Sequence, residues 1–162
     1  MHTGEGESMK LSTKGRYGLR ALIDLAQYSG GDTPVSITSI SDRQAISERY
    51  LEQLMAKLKK AGLVRSVRGA GGGYILAKDI HEISVGDVLR ALEGNLDPVE
   101  CAGLEPDGEC KAADSCVTKY VWKRINESIN RTVDEIRLDQ LVEESRRLNP
   151  EGRETDRTEC RN

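Results

Sequence analysis

The stretch ISERYLEQLMAKLKKAGLVRSVRGAGGGYIL, residues 46–76, begins as an amphipathic helix. Ser47 is a favourable N-cap residue, and Glu48 places a carboxylate beside the positive end of the helix dipole. Apolar residues then recur at the i, i+3, i+4, i+7 spacing of one buried face: Leu51, Leu54, Met55 and Leu58. Gly62 follows at a position where helices commonly end. The stretch therefore predicts a helix that buries one face and offers a polar, basic face to a partner.

Two short strands are predicted after this helix, over residues 63–67 and 74–76, joined by the glycine-rich tip RGAGGG at residues 68–73. A helix followed by a basic two-stranded ribbon is typical of a winged helix-turn-helix, whose helix enters the DNA major groove. Each half alone is ambiguous, because a lysine-rich helix face is usually a solvated surface and a glycine-rich loop is often only a turn. No Lys-Ser or Lys-Thr follows the glycines, which excludes a Walker A loop.

The charge distribution supports DNA binding, although the formal net charge of −3 alone does not. Residues 9–78 contain 12 Lys or Arg against 5 Asp or Glu, a net charge of +7. Residues 79–162 contain 12 against 20, a net charge of −8. A basic half joined to an acidic half is expected when one part of a chain binds nucleic acid and the other does not.

Several protein classes are disfavoured. No apolar run approaches the roughly 20 residues of a membrane helix, and no charged-then-apolar leader begins the chain. We therefore expect a cytoplasmic protein without membrane contact. An enzyme is also disfavoured, because the sequence has no Ser/His/Asp set, no paired-carboxylate motif and no nucleotide loop.

Apolar periodicity predicts five further helices, over residues 14–29, 37–44, 84–92, 117–135 and 138–148. Ala45 and Ile46 form the turn of the helix-turn-helix, where glycine is common because the turn needs a positive φ. We expect Ala45 to be slightly strained there. The predicted fold is mainly α, with a small wing and a long C-terminal dimerisation helix. The predicted organisation is a disordered leader (1–8), a winged helix-turn-helix DNA-binding domain (9–92), a cysteine loop (93–116), dimerisation helices (117–148) and a disordered tail (149–162).

The longest predicted helix, residues 117–135, carries a narrow apolar line flanked by charges. Its members are Val121, Ile125, Ile129, Val133 and, just beyond the helix, Ile136. Such a seam is typical of a helix that crosses its own copy, although a helix packed only within its own chain is the alternative. Dimerisation is favoured because paired winged helices bind palindromic operators in double-stranded DNA.

Three of the four cysteines, Cys101, Cys110 and Cys116, lie in the loop before this helix. Thiolates bunched in a loop can converge on one metal centre, and iron–sulfur clusters use mostly cysteine ligands. Zinc is less favoured, because its sites usually contain cysteine pairs two to four residues apart. Thiol redox sensing and incidental cysteines remain open. We interpret Cys160 as incidental.

The sequence resembles the IscR-type winged-helix transcriptional regulators, a superfamily that includes IscR, CymR and NsrR. The matching segments are MKLSTKGRYGLRAL (9–22), SERYLEQL (47–54), SVRGAGGGY (66–74), SVGDVLRALEG (84–94) and the cysteine loop with its following helix. The resemblance implies a homodimeric repressor or activator whose dimer helices cross beside a [2Fe–2S] cluster.

The resemblance also implies site residues. The three cluster ligands fall on Cys101, Cys110 and Cys116. The usual fourth ligand, a histidine three residues after the third cysteine, is replaced by Lys119, so the fourth ligand is unknown; His81, Asp114 and Cys160 are the candidates. DNA contacts fall on Arg49, Glu52 and Arg68, with Ser47, Tyr50 and Gln53 close by and Gly69 and Gly71 in the wing. Lys57, Lys60 and Arg65 are expected to contact phosphates.

The function predicted from these features is transcriptional regulation by a homodimer that senses iron–sulfur or redox status. The nearer alternative is a cluster-free, CymR-like regulator of cysteine or sulfur metabolism, controlled by thiol state or by a partner protein. Iron–sulfur assembly or sulfur-metabolism proteins are the further partners that these two hypotheses suggest. An enzyme or carrier built on the cysteine loop is the more distant alternative.

Overall fold

The computed structural model describes residues 11–30, 32–101 and 110–150. The elements of this part of the chain are α1 (Thr13–Tyr28), α2 (Ile37–Gln44), α3 (Glu48–Lys60), β1 (Val64–Val67), β2 (Gly73–Leu76), α4 (Val85–Glu93), α5 (Val117–Glu135) and α6 (Leu138–Leu148). The mainly α fold with a two-stranded wing is confirmed. The predicted bounds of α2, α5 and α6 match those observed; α1 and α4 are shifted by one residue at both ends, and each strand differs by one residue at its N-terminal end.

The helix-turn-helix consists of α2, a tight turn and α3. The Ser36 hydroxyl accepts from Ser39 N at the start of α2, and the Ser47 hydroxyl accepts from Tyr50 N at the start of α3. Between the helices, Ala45 has φ 53° and ψ 44°, in the left-handed region. The predicted strain at Ala45 is confirmed, because a Cβ is unfavourable in this conformation.

The wing is an antiparallel pair in which Val64 lies opposite Leu76 and Val67 lies opposite Gly73. Tyr74 also forms a bridge to Val35, in the segment before α2. This bridge brings backbone so close that a Cβ on Gly73 would lie 2.2 Å from the Val35 carbonyl oxygen. Glycine at this position therefore allows the wing to dock against the helix-turn-helix.

Helices α1 and α4 pack closely because small residues face α4. A Cβ on Gly18 would lie 2.2 Å from Leu92 Cδ1, and one on Gly15 would lie 2.6 Å from Glu93 Oε1. The Glu93 carboxylate accepts from Ser12 Oγ at 2.6 Å and from Gly15 N at 2.9 Å. The acidic group at the end of α4 thus satisfies the Gly15 amide and the Ser12 hydroxyl at the start of α1.

One hydrophobic core joins the N-terminal elements to the last helix. Its buried members include Leu22, Leu25, Ile40, Leu51, Leu54, Met55, Leu58, Ile83, Val88, Leu92, Leu138 and Val142. Helix α6 enters this core through a backbone joint, in which Val85 N donates to Ile136 O and Leu138 N donates to Ile83 O, both at 2.9 Å. The core therefore includes two residues of the segment predicted to dimerise.

Some predictions concern residues outside the described part of the chain. They include those for the leader and for Cys160, and most of that for the tail. Among the described residues, no helix has the length and apolarity needed to cross a membrane.

Candidate DNA interface and cysteine loop

The outward face of α3 begins with three side chains that are exposed in the described part of the chain. Leu51, Leu54, Met55 and Leu58 are buried as predicted, whereas Arg49, Glu52 and Gln53 are exposed. None of these three side chains hydrogen-bonds within the described residues, and they offer one cationic, one anionic and one amide group on a single surface. This combination can contact both base edges and phosphates.

Tyr50 lies at the border of this face and is held by α1. It is half-buried, and its ring meets Tyr17 edge to face, with 6.1 Å between centroids and 88° between planes. Its hydroxyl lies 3.3 Å from Thr13 Oγ1. The N-terminal part of α1 therefore fixes the start of α3.

Three lysines follow along α3, and they have different environments. Lys57 Nζ donates to Leu92 O at the C-terminal end of α4, at 3.3 Å. Lys59 Nζ donates to Ser66 Oγ on β1 at 2.8 Å. Lys60 is exposed and makes no such contact in the described structure. The link from Lys59 to the wing was not predicted, because a side-chain contact seven residues away depends on how the strand folds back.

The wing presents its basic tip to solvent. Arg68, Gly69 and Gly71 are exposed, and Gly69 adopts φ 114°, which only glycine tolerates without strain. The turn closes with Gly72 N donating to Gly69 O at 3.0 Å. Arg65 pairs with Asp32 at 3.3 Å, but both side chains are well exposed, so this ion pair contributes little to stability.

A buried polar network, centred on Asp24, fixes α2 against α1. The Asp24 carboxylate, 3% exposed as a residue, accepts from Arg43 Nη2 at 2.7 Å and from Gln44 Nε2 at 2.7 Å. Arg20 Nη2 donates to Gln44 O at 2.7 Å, and the Arg43 guanidinium stacks over the Tyr28 ring at 4.0 Å. The hydrogen bond to Asp24, opposed by desolvation, raises the pKa of Arg43. This network was not predicted from the sequence, although the charged Asp24 on the apolar face of α1 was a signal for it.

A second polar network runs along the α4-facing side of α5. Asn126, Asn130 and Asp134 are spaced four residues apart and so occupy successive turns of one helix face. Arg90 of α4 donates to both Asp134 oxygens, at 2.7 and 2.9 Å, and to Asn130 Oδ1 at 2.7 Å. Asn126 Nδ2 donates to Asp97 Oδ1, in the segment after α4, at 2.8 Å. We call these five residues the α5 polar row.

The apolar line predicted on α5 is only partly covered within one chain. No residue of this helix is fully buried. Val117, Tyr120 and Val121, at its N-terminal end, are 82%, 64% and 44% exposed. A 19-residue helix with this exposure has unburied apolar surface near the cysteine loop.

The three cysteines precede α5 in the chain, and all are half-buried. Cys116 immediately precedes the helix, and its Sγ lies 3.2 Å from Thr118 Oγ1. The hydrogen bond with the Thr118 hydroxyl is the main cause of a lowered pKa of the Cys116 thiol, and a hydrogen bond from the Lys119 backbone amide lowers it further. A thiolate is the metal-binding form of cysteine, so the chemistry of this donor set fits iron–sulfur ligation.

The geometry of a metal centre is not defined by the described residues. Residues 102–109, between the first two cysteines, lie outside them, and no group of three His, Cys, Asp or Glu that could hold a metal occurs within them. His81 Nδ1 lies 2.9 Å from Asp139 Oδ2 on α6, and Asp114 is exposed in the turn before Cys116.

The helix-turn-helix, the wing beside it and the free polar face of α3 define a winged helix-turn-helix regulator. Residues 11–144 match the model of the Rrf2 family, described as iron-dependent transcriptional regulators. The chain belongs to this family, and it is a transcriptional regulator. The resemblance stated from the sequence is confirmed.

Relatives and solved structures agree with this assignment. The chain is 42% identical to the HTH-type transcriptional regulator IscR of Pectobacterium atrosepticum over 146 residues, which cover 90% of this chain and 87% of that protein. It is similar to the structure of T. potens IscR, with a TM-score of 0.69, 46% identity and coverage of 86% and 90% of the two chains. It is also similar to CymR, the global cysteine regulator of B. subtilis, with a TM-score of 0.68, 42% identity and coverage of 83% and 97%.

Proposed function

We propose that this regulator acts in the cytoplasm as a homodimer, binds a palindromic operator in double-stranded DNA and responds to iron–sulfur or redox status through its cysteine loop. It has no catalytic role in this proposal. The observation that carries the proposal is the free surface shared by α3 and the wing. This surface presents Arg49, Gln53 and Arg68 without intramolecular partners in the described structure.

The proposed DNA contacts divide by type. Arg49 and Gln53 contact bases or adjacent phosphates, Glu52 accepts from a cytosine amine, and Arg68 enters the minor groove. Ser47, Tyr50, Gly69 and Gly71 border these contacts. Lys57, Lys60 and Arg65 contact phosphates; Lys57 retains two N–H donors beyond the one that it gives to Leu92 O.

Dimerisation is supported by the exposed apolar end of α5. In this proposal Val117, Tyr120 and Val121 are covered by the partner subunit, and the crossed helices hold the two α3 helices at the spacing of successive major grooves. Burial of these side chains in the dimer would remove from water the apolar surface that α5 leaves exposed within one chain, where none of its residues is fully buried.

Cys101, Cys110 and Cys116 would hold a [2Fe–2S] cluster, with the fourth ligand unknown. When bound, the group would supply a one-electron redox centre next to the N-terminal end of α5. The lowered pKa of the Cys116 thiol supports this role, because a thiol must lose its proton to bind iron.

The test combines a spectrum with a DNA selection. Protein purified without oxygen should absorb between about 300 and 600 nm, where zinc and bare thiols are colourless. Cys110→Ser should abolish this absorbance without loss of folding, whereas Ser128→Ala, at an exposed residue of α5, should leave it unchanged. The wild-type protein should enrich a palindromic motif from a pool of random-sequence duplexes. Failure to enrich any sequence at low salt would contradict DNA binding.

A cluster-free regulator is the second candidate, and two observations favour it. Lys119 stands where the resemblance leads us to expect histidine, and the fold is similar to that of CymR. Such a regulator would respond to thiol state or to a sulfur-metabolism protein, whereas the leading proposal is compatible with iron–sulfur assembly proteins as partners. A colourless protein that nevertheless selects a palindrome would favour this second candidate.

A further inference from the structure

The α5 polar row connects the segment that leads into Cys101 with the helix that contacts α3. Asp97 lies four residues before Cys101 and is held to α5 by Asn126, at 2.8 Å. The contact is half-buried, so competition with water is reduced. It is a hydrogen bond to a carboxylate, which is stronger than one between neutral groups.

From Asn126 the row continues without interruption to α4. Asn130 Nδ2 donates to Asn126 Oδ1 at 2.6 Å and to Asn126 O at 2.9 Å. Arg90 then binds Asn130 and Asp134 together. A Cβ on Gly86 would lie 2.0 Å from Asp134 Oδ1, so α4 and α5 are in close contact beside this part of the row.

The C-terminal end of α4, directly after Arg90, contacts the DNA-binding elements. Leu92 O accepts from Lys57 of α3, and the Leu92 side chain lies against Gly18 of α1. Glu93 caps the start of α1, where Thr13 meets Tyr50. The polar row and these contacts thus form one physical connection from the cysteine segment to the start and the end of α3.

We propose that the Asp97–Asn126 contact transmits the state of the cysteine loop to α4 and α3, which makes Asp97 and Asn126 positioning residues for regulation. This inference rests on the proposed function. Because the segment before Cys101 is anchored to α5, a rearrangement around Cys101 displaces α4 relative to α5. The Lys57 and Glu93 contacts then carry this displacement to α1 and α3. Without the anchor the segment moves independently, and DNA affinity no longer depends on the loop.

The test compares four proteins: wild type, Asp97→Ala, Asn126→Ala and Ser128→Ala. Ser128 is exposed on the same helix. Among the described residues, its backbone oxygen accepts from Thr132 and its side chain makes no hydrogen bond, so Ser128→Ala is the matched control. Each protein is prepared unloaded and after anaerobic reconstitution with iron and sulfide. Fluorescence anisotropy then measures the Kd of both forms for the duplex that the wild type selects.

In wild type and in Ser128→Ala, the Kd values of the unloaded and the reconstituted forms should differ by about tenfold or more, within the usual range of allosteric coupling. In Asp97→Ala and Asn126→Ala this ratio should fall to within about twofold of one, with unchanged cluster absorbance. A second readout uses the unloaded proteins alone. Amide hydrogen exchange over residues 95–101 should be faster in both variants and unchanged in Ser128→Ala.

Two outcomes would overturn the inference while leaving the proposed function intact. One is that Asp97→Ala keeps the same ratio of Kd values as the wild type, although its amide exchange over residues 95–101 is faster. The other is unchanged exchange in that variant. A ratio near one in the wild type itself would instead contradict sensing by the cysteine loop, and the inference with it. Asp97→Ala is the more specific of the two variants, because it removes the contact without changing a residue of α5.

Discussion

Asp24 and Arg43 form a bidentate ion pair across the first two helices, with Arg43 Nη2 2.7 Å from Asp24 Oδ1 and Arg43 Nε 3.0 Å from Oδ2. The carboxylate side chain is 1% exposed and the guanidinium side chain 25%. The pair fixes α2, and with it the turn that orients α3. Burial makes this network costly to break, because the remaining charge would lose its partner in a poorly solvated site.

We therefore predict that Asp24→Ala lowers the free energy of unfolding by about 3 kcal/mol, at the lower end for a broken buried pair because Arg43 keeps partial solvation. Urea denaturation followed by circular dichroism measures this change. Asp42→Ala is the matched control, since Asp42 is an exposed carboxylate on α2, and its effect should stay within about 0.5 kcal/mol. Equal effects of the two variants would contradict the role given to Asp24.

Gly18→Ala should destabilise the protein by about 1–3 kcal/mol, the usual cost of overpacking. The new methyl group would lie 2.2 Å from Leu92 Cδ1, and Leu92 is itself buried. Gly30→Ala is the control, because among the described residues its Cβ would meet only Thr33 Oγ1, at 4.0 Å. Thermal unfolding of the two variants distinguishes a packing effect from a general effect of replacing glycine. A neutral Gly18→Ala would show that α1 and α4 can separate at little cost.

Ala45→Gly should raise stability by roughly 0.5–1 kcal/mol, since relief of left-handed strain exceeds the added entropy of the unfolded chain. Ala61→Gly removes the same methyl group at φ −78°, where there is no such strain, and should lower stability by about 0.5–1 kcal/mol. Opposite shifts of the urea midpoint would confirm the effect of backbone conformation. Two shifts of the same sign would contradict it.

From the Arg90–Asp134 pair we predict that the free energy of unfolding decreases in acid. The hydrogen bond from Arg90 lowers the pKa of Asp134 below its ordinary value of 3.8, so folding favours the charged carboxylate. Its stabilisation is complete above that ordinary value and is lost as the pH falls through the lowered pKa. The difference in unfolding free energy between wild type and Asp134→Asn should therefore shrink as the pH is lowered from 7 towards this pKa. Glu135→Gln, an exposed neighbour without such a partner in the described structure, should show no comparable trend.

Arg68→Ala should weaken binding to the selected duplex by about 1–3 kcal/mol and relax base preference where the wing contacts DNA. Lys123→Ala removes the same charge from α5 and should leave base preference unchanged. Anisotropy titrations against the selected duplex and against single-base variants measure both quantities. Unchanged affinity and preference in Arg68→Ala would remove this residue from the interface.

Much of the fold follows from local patterns in the sequence. Periodicity gave the α3 face, and the Ser47 cap marked a helix start that the structure confirms. The strain at Ala45 followed from the position of the turn. These features depend on interactions within a few residues, which a single sequence displays directly.

The contacts that connect distant segments could not be predicted in the same way. The pairing of Asp97 with Asn126 and that of Lys57 with Leu92 O depend on where α4 and α5 lie in space. Spacing does place Asn126, Asn130 and Asp134 on one face, but an exposed polar face has the same spacing. The assignments of DNA contacts, of cluster ligands and of the dimer stay predictions that the experiments above test.

The return of α6 into the N-terminal core limits how this regulator can be divided. Leu138 and Val142 complete the core that contains Leu22 and Leu58, so a fragment ending after the wing would expose apolar surface. A chimera that joins this DNA-binding surface to a foreign sensor would need to keep Leu138–Leu148 and its joint to Ile83 and Val85. Recombination during evolution faces the same restriction, which favours inheritance of these helices as one unit.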